Sequence, residues 1–323
     1  MDRSNWMSEN LELLGNQPLN HIVMPAAHDA GMCQLQNCSI GANTCNTQTQ
    51  TLTILEQLQN GIRYFDLRPV ISGGTLYTGH YSHSVIGFLG CCGPALTVIL
   101  EQVSTFMQSS HDLVILKFSH YIDVDTGQQS FSQEQMTQLC SLVTSQLQNV
   151  LYDTPLGSGT LADVLINQYI GSSGKVLAVF DQLTNVVKQQ FTGVYSYGDM
   201  PGPADLVVFD QYSNTNDLNT MISDQFSKLA NPANHTGNLF LLSWTLTQSP
   251  GQAVGCGVPG ATSILDLADQ ADAVLYSNIT AQYNAGKITL STLPNLLYVD
   301  NADSFVLDVA MWLNTNLLAS VAV

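Results

Sequence analysis

The sequence predicts an α/β fold, a distorted TIM-type (β/α) barrel formed by a single domain. Short, almost wholly apolar runs alternate with segments of helical periodicity, the pattern of a parallel sheet covered by helices on both faces. Polar residues follow these runs directly, at the strand ends where barrel enzymes place their active sites. No linker, composition break or internal repeat divides the 323 residues. An open doubly wound sheet is disfavoured because no GxGxxG motif follows the first strand.

The first half of the chain carries the most distinctive strand, GIRYFDLRP at 61–69. Asp66 and Arg68 lie near its end, and residues two apart in a strand point to the same face. The predicted strands of this half are 21–29, 61–69, a return strand at 76–81 after a Gly-Gly turn, and 113–121. The predicted helices are 8–14, 53–60, 94–108 with Pro at its start, and 132–150 with Ser130 or Ser132 as its N-cap. Residues 33–52 are predicted to form a loop.

The second half continues the alternation of strands and helices. Its predicted strands are 175–182, 206–212, 238–246 and 296–301, and its predicted helices are 216–229, 264–279 and 303–318. The sequence thus predicts seven strands in parallel sense plus the return strand. One barrel accounts for this number better than two domains do.

The composition is globular, with 45% hydrophobic and only 10% charged residues. A net charge of −17 argues against nucleic acid as a partner and against electrostatic capture by an anionic membrane. No run of 18 apolar residues predicts a membrane span, and the N-terminus lacks the apolar core of a signal peptide. We expect a monomer.

Seven cysteines bear on the compartment. Cys33, Cys38 and Cys45 fall within one polar, turn-rich stretch, which suggests a loop pinned by a disulfide. The odd total of seven cysteines leaves at least one free thiol or an intermolecular partner, and no cysteine spacing suggests a zinc site. We expect a secreted protein whose signal lies outside this numbering, with a cytoplasmic protein as the alternative.

The polar residues at strand ends form a set with a recognisable chemistry. His28 and His80 flank the Asp66/Arg68 strand in sequence, and a histidine pair can supply a general base and a general acid near neutral pH. Arg68 suits a phosphate through planar bidentate donation. Lys117 adds a second cation in a chain with only eight Lys and Arg. These residues predict phosphoryl transfer by acid–base catalysis, without a metal or other cofactor.

The sequence resembles the phosphatidylinositol-specific phospholipase C (PI-PLC) family, especially its single-domain bacterial enzymes. MPAAHDAG is similar to the family's first strand, GIRYFDLRP to its second, YTGHY to the hairpin with the second histidine, and VILKFSH to the strand that carries Lys in metal-free members. The strand ends FDQY and YVDN match more weakly. The resemblance implies a phospholipid or glycolipid substrate at a transient membrane interface, converted to diacylglycerol and a cyclic inositol phosphate.

The resemblance implies a role for each of these residues. His28 would deprotonate the inositol 2-hydroxyl, paired with Asp300. His80 would protonate the leaving oxygen, supported by Asp29. Arg68 would bind the phosphate, with Asp66 beside it and Lys117 nearby, and the inositol ring would meet Asp210 and Tyr212. Acids stand in place of Arg68 and Lys117 in calcium-dependent relatives, so no metal is expected here.

The sequence departs from the family pattern at Asp181, where the bacterial enzymes place an inositol-binding Arg. Inositol hydroxyls can still donate to a carboxylate, so Asp181 stays a candidate substrate-binding residue. The departure motivates one alternative, a metal-independent phosphodiesterase for another polyol or lipid head group, which a substrate screen would reveal. A second alternative is a non-catalytic, lectin-like binding protein on the same barrel.

Four other features have competing explanations. His83 could replace His80 as the acid, although its spacing from Arg68 fits the family less well. For His120 we expect a rim or structural role. The apolar run 85–93 suggests a loop that packs under the rim or touches lipid. Trp244 ends a strand and is a candidate to line the pocket.

Overall fold

The computed structural model describes residues 2–84, 87–157, 159–171, 173–199 and 203–319, apart from the side chains of residues 83 and 84. The strands of this described chain are β1 (Met24–Ala27), β2 (Tyr64–Leu67), β3 (Pro69–Ser72), β4 (Thr75–Ser84), β5 (Gly87–Ala95), β6 (Leu113–Phe118), β7 (Ile122–Asp123), β8 (Lys175–Phe180), β9 (Val194–Gly198), β10 (Leu206–Asp210), β11 (Leu239–Ser243) and β12 (Leu296–Val299). Eight of them close into a parallel barrel in the order β1, β12, β11, β10, β9, β8, β6, β2. The predicted TIM-type barrel is confirmed.

Alternation along the barrel strands decides which side chains face the interior. Tyr64 of β2 packs in the cluster inside the barrel, whereas Phe65 and Leu67 pack in the cluster between strands and helices. Asp66 shares the face of Tyr64 and therefore points inward. The parallel register pairs Asp66 with Lys117 of β6, which brings a carboxylate and an ammonium together at the carboxyl end of the barrel.

Helices form the layer around the strands, and most of them begin at a side-chain N-cap. They are α1 (Leu11–Leu14), α2 (Thr44–Thr47), α3 (Ile54–Gln59), α4 (Leu96–Met107), α5 (Gln133–Leu147), α6 (Ile166–Tyr169), α7 (Asn185–Lys188), α8 (Leu218–Leu229), α9 (Pro250–Gly255), α10 (Ile264–Asn284) and α11 (Ser304–Leu318). Of the two serines considered for α5, Ser132 is the N-cap, in a capping box with Gln135. No helix within the described residues is both long and apolar enough to cross a membrane.

A second sheet stands beside the barrel, in the order β5, β4, β3, β7. The predicted return strand is its central strand β4, so it is not a barrel strand. The prediction of a loop at 85–93 is wrong for 87–93, which lies in β5, while 85 and 86 fall outside the described residues. Gly90 permits this pairing, because a Cβ there would lie 1.9 Å from the carbonyl oxygen of His80.

The sequence prediction missed one barrel strand, β9. Its residues, VYSYG, alternate only partly between buried and half-buried positions, and the strand contains Ser and Gly. It lacks the solid apolar run by which the other barrel strands were predicted. The barrel therefore has eight parallel strands, not seven.

The cysteine-rich loop is held by two long-range disulfides. Cys38 bonds to Cys91 on β5, and Cys45 bonds to Cys256 just after α9. The loop is thus pinned to distant segments and not by a bond within itself. Three cysteines remain free, namely Cys33, Cys92 and Cys140.

Candidate active site

A cavity of about 1180 Å³ opens at the carboxyl ends of the barrel strands. Eight of the ten predicted site residues line it: His28, Arg68, His80, Lys117, Asp181, Asp210, Tyr212 and Asp300. The other two, Asp29 and Asp66, are fully buried behind its wall. The fold therefore collects residues from distant parts of the sequence around one space.

His28 follows β1 and is held between an acid and a base. Its Nδ1 lies 2.7 Å from Asp300 Oδ1, and its Nε2 lies 2.8 Å from Arg68 Nη2. A carboxylate only accepts and a guanidinium only donates, so Nδ1 carries the proton and Nε2 the lone pair. Burial is the largest single influence and lowers the pKa of His28. The charge and hydrogen bond of Asp300, together with the charge of Asp29, outweigh burial and Arg68 and leave that pKa raised.

His80 approaches the cavity from β4, outside the barrel. Its Nδ1 donates to Asp29 Oδ2 across 2.7 Å, which leaves Nε2 as the atom available to a ligand. Asp29 adopts a left-handed backbone conformation, with φ of 42°, and its carboxylate also lies 3.6 Å from Arg68 Nη1. Each histidine therefore has its own orienting carboxylate, with Arg68 between the two pairs.

Asp66 is the central acceptor beneath the cavity. Its carboxylate accepts hydrogen bonds from Arg68 Nε at 3.0 Å, from the Tyr298 hydroxyl at 2.6 Å and from the Ser119 hydroxyl at 3.1 Å, and Lys117 Nζ lies 3.4 Å away. Although burial opposes ionisation, the charges of Lys117 and Arg68 hold the pKa of Asp66 well below its ordinary value. Asp66 is therefore a permanent anion that fixes the orientation of Arg68.

Lys117, Asp210 and their neighbours form the far side of the cavity. Lys117 Nζ lies 2.8 Å from Asp210 Oδ2 and 4.9 Å from the ring centre of Tyr197. Burial raises the pKa of Asp181. Tyr212 lies two residues beyond β10 with 58% of its surface exposed. The predicted contacts of these residues with a head group stay predictions.

Two residues contribute more to the site than the sequence suggested. Tyr298 donates to Asp66, and its ring meets the His28 ring edge-on, with 5.2 Å between centres. It stands two positions before Asp300, so the period of a strand could have identified it. His120, for which the sequence predicted a rim or structural role, lines the cavity. Trp244 is buried and donates to the carbonyl of Ala271, so it does not line the cavity.

The carboxylates nearest the middle of the cavity are already paired with positively charged side chains of the protein. Asp66 contacts both Arg68 and Lys117, and Asp210 contacts Lys117. A divalent ion would have to displace a guanidinium or an ammonium to reach them. Within the described part of the chain, no group of three or more His, Cys, Asp or Glu side chains is placed to hold a metal ion.

The chain is similar in sequence to proteins named for the PI-PLC X domain. No protein-family model matches it. PI-PLC X domain-containing protein 3 of Danio rerio is 27% identical over 166 residues, which are 43% of this chain and 48% of that protein. A PI-PLC X domain-containing protein of Dictyostelium discoideum is 33% identical over 97 residues, covering 25% of this chain and 17% of that protein. The matches thus span half or less of those relatives.

Solved structures share the fold over nearly the whole chain. A variant of the PI-PLC of Staphylococcus aureus aligns with a TM-score of 0.64 and 17% identity, covering 96% of this chain and 97% of that one. The PI-PLC of Listeria monocytogenes aligns with a TM-score of 0.60 and 15% identity, covering 97% and 98%. The predicted resemblance to the PI-PLC X-domain family is confirmed.

Proposed function

We propose that the chain is a phospholipase C-type phosphodiesterase that cleaves phosphatidylinositol or an inositol glycolipid. One observation carries the proposal: two carboxylate-oriented histidines, His28 with Asp300 and His80 with Asp29, lie on either side of Arg68 in one cavity. A base, an acid and a bidentate anion binder within one cavity are what an in-line phosphoryl transfer requires.

The proposed reaction begins when the phosphate binds Arg68. His28 Nε2 takes the proton of the inositol 2-hydroxyl, and that oxygen attacks phosphorus. The bond from phosphorus to the diacylglycerol oxygen breaks, and His80 gives that oxygen the proton on its Nε2. Diacylglycerol and a cyclic inositol phosphate result. The carboxylates of Asp300 and Asp29 keep the two Nδ1–H groups turned away from the substrate. Asp300 stabilises the imidazolium that forms at His28, and Asp29 stabilises the imidazolium from which His80 gives its proton.

We infer that this chemistry proceeds without a metal. Arg68 and Lys117 supply two fixed positive charges near the phosphate, the electrostatic role that a cation would otherwise fill. Both side chains are anchored by Asp66, so little reorganisation is needed when charge develops. Activity should therefore survive an excess of EDTA or EGTA.

The head group is the least constrained part of the proposal. The raised pKa of Asp181, which lines the cavity, favours a head group that hydrogen-bonds a carboxyl group, as a polyol does. The rival is a phosphodiesterase of the same mechanism that acts on another polyol or lipid head group. A binding protein without activity is the other rival. The intact pairs of each histidine with its own carboxylate, His28 with Asp300 and His80 with Asp29, argue against it.

We propose that the substrate is taken from a membrane at the apolar rim of the cavity. Ile40 and Val254 line the cavity and are 95% and 87% exposed, and Val258 nearby is 65% exposed. Exposed aliphatic side chains beside a polar cavity fit a lipid surface. Two disulfides favour an oxidising compartment, so we keep the proposal that the protein is secreted.

The decisive experiment is an assay of the purified chain on vesicles that contain phosphatidylinositol, with chelator present, followed by 31P NMR. We expect the cyclic inositol phosphate to appear before any acyclic product. Cleavage of another phospholipid in a parallel screen, with phosphatidylinositol untouched, would support the rival head group. No cleavage of any phospholipid, together with retained binding of inositol, would favour the binding protein.

A further inference from the structure

A third histidine, His120, faces the same cavity and has no part in the proposed reaction. It follows β6 directly after Ser119, lines the cavity and is exposed. Its backbone is left-handed, with φ of 56°, a conformation that few residues other than glycine adopt without cost. The surrounding structure therefore holds the ring at a position that an ordinary extension of β6 would not give.

The position of the proton on His120 follows from the hydrogen bonds of Ser119. The Ser119 hydroxyl has one hydrogen, and it donates it to Asp66 Oδ1 at 3.1 Å, because an ionised carboxylate can only accept. Ser119 Oγ also lies 2.9 Å from His120 Nδ1. With its hydrogen already committed, that oxygen must accept, so His120 Nδ1 carries a proton.

The charges around His120 keep the ring neutral. The charge of Arg68 is the strongest influence and, with partial desolvation of the ring by the walls of the cavity, lowers the pKa of His120 to about 4. The charge of Lys117 acts in the same direction, while those of Asp66 and Asp210 oppose it. A neutral ring protonated at Nδ1 has a bare lone pair at Nε2. No described residue makes a hydrogen bond to His120 Nε2, whereas Nε2 of His28 is occupied by Arg68.

We propose that His120 is a substrate-binding residue whose Nε2 accepts a hydrogen bond from a hydroxyl of the head group. The inference deepens the proposed function and rests on it. A lone pair fixed in this way selects a free hydroxyl and repels a phosphate oxygen. The site would thus take a polyol head group, and it would reject both choline, which has no donor, and a polyol phosphorylated at that hydroxyl.

The tautomer is tested on the wild-type protein by 15N NMR of the histidine side chains, without any turnover. We expect His120 Nδ1 to show the shift of a protonated nitrogen and Nε2 that of a bare nitrogen from pH 5.5 to 8. Saturation with myo-inositol should move the Nε2 resonance towards the hydrogen-bonded value. Mixed tautomers, a proton on Nε2, or an Nε2 signal indifferent to saturating inositol would each overturn the assignment.

Variants test the same contact by affinity. His120→Phe keeps a ring but removes the acceptor, and we expect it to weaken myo-inositol binding and raise KM about tenfold with little change in kcat, the scale of one hydrogen bond. His120→Gln offers an oxygen near the place of Nε2 and should recover most of the loss. His111→Phe is the matched control, because His111 is exposed just before β6, at the opposite end of that strand.

The two proposals fail in different ways. If wild type cleaves phosphatidylinositol but His120→Phe matches the His111→Phe control in KM and inositol affinity, the role of His120 is refuted and the proposed reaction stands. If no phospholipid is cleaved while Nε2 responds to myo-inositol, the reaction is refuted and the role of His120 in polyol binding stands.

Discussion

Arg68 makes a hydrogen bond in the unliganded site that it would have to give up when it binds phosphate. Its Nη2 donates to His28 Nε2, the lone pair that the proposed reaction needs, while its Nε is fixed by Asp66. A bound phosphate would draw Nη2 towards its oxygens and release His28 Nε2 for the substrate hydroxyl. Because Asp66 holds the Nε end, the guanidinium needs only a small rotation. Substrate binding would thereby activate the base, a coupling that a lysine at 68 would lack.

The role of His80 can be separated from that of His28 by the leaving group. A diacylglycerol alkoxide needs a proton to leave, whereas p-nitrophenolate does not. His80→Ala should therefore lower kcat by about two to four decades on the lipid and by far less on an inositol p-nitrophenyl phosphate. His28→Ala should be equally damaging on both substrates. The measurement is kcat for each variant on each substrate.

Arg68→Lys is the companion variant for this comparison. It should impair both substrates, since a point charge cannot reproduce the bidentate contact with phosphate. Equal losses for His80→Ala on lipid and on the nitrophenyl ester would show that His80 is not the leaving-group acid. His83, whose side chain lies outside the described residues, would then be the next candidate.

Helix α10 carries a carboxyl group that weakens the fold as pH rises. Asp272 Oδ1 is buried without a hydrogen-bond partner in the described chain, and burial together with Asp300 and Asp303 raises the pKa of Asp272 to about 9. Between about pH 4 and pH 9 the unfolded chain ionises this group while the folded chain keeps it protonated. The unfolded state then binds fewer protons, so the free energy of unfolding falls as pH rises.

Asp272→Asn should therefore stabilise the protein, and more at pH 8 than at pH 5. We expect a gain of about 1 to 2 kcal/mol in the free energy of unfolding at pH 8, because the amide has no proton to lose. Urea unfolding at both pH values measures it. Asp308→Asn, at an exposed position of α11, is the control. A gain that is the same at both pH values would contradict a titrating Asp272.

Helix α9 and the loop opposite it form the apolar rim, which suggests a test of membrane docking. Replacing Ile40 and Val254 with Ser should reduce binding to phosphatidylinositol vesicles about tenfold, because two exposed aliphatic side chains lose their contact with lipid. Cleavage of a water-soluble inositol phosphodiester should stay unchanged. Val98→Ser, at an exposed position on α4 that does not line the cavity, is the control. Undiminished vesicle binding by the rim variant would place the membrane contact elsewhere.

At the scale of the whole molecule, the sequence predicted the barrel because its strands are solid apolar runs. Strand β9 was missed because Ser196 and Gly198 interrupt its apolar run and it is only partly buried. Strand β5 was taken for a loop, since three glycines and two adjacent cysteines mask its period. The predicted ionisable residues do meet in one cavity, because parallel strands bring their carboxyl ends to one edge.

What the sequence could not supply was contact between residues far apart in the chain. The register that places Asp66 beside Lys117, the hydroxyl of Tyr298 on Asp66 and the proton on His120 all depend on atoms from different strands. The cysteine pairing is of the same kind. The spacing within 33–45 suggested a loop pinned by a disulfide but left the partners open, and the bonds reach residues 53 and 211 positions away.

The longer disulfide joins the stability of the whole fold to the geometry of the rim. Cys45–Cys256 closes a loop of 211 residues, and Cys38–Cys91 closes one of 53. By restricting the unfolded chain, the two bonds should add about 5 and about 4 kcal/mol, respectively, to the free energy of unfolding. Replacing Cys45 and Cys256 with Ser should lower the free energy of unfolding at least as much as replacing the other pair. Urea unfolding of both double variants, with Cys33→Ser as the control for a free thiol, measures this.

The same variant should separate the rim from the catalytic centre. Cys45–Cys256 ties the loop that carries Ile40 to the end of α9, which carries Val254, whereas the histidines are held by barrel strands and β4. Without the bond, we expect cleavage of lipid in vesicles to fall several-fold while kcat on a water-soluble inositol phosphodiester stays within about twofold, at a temperature where the variant remains folded. Equal losses on both substrates would mean that the disulfide supports the cavity itself and not its rim.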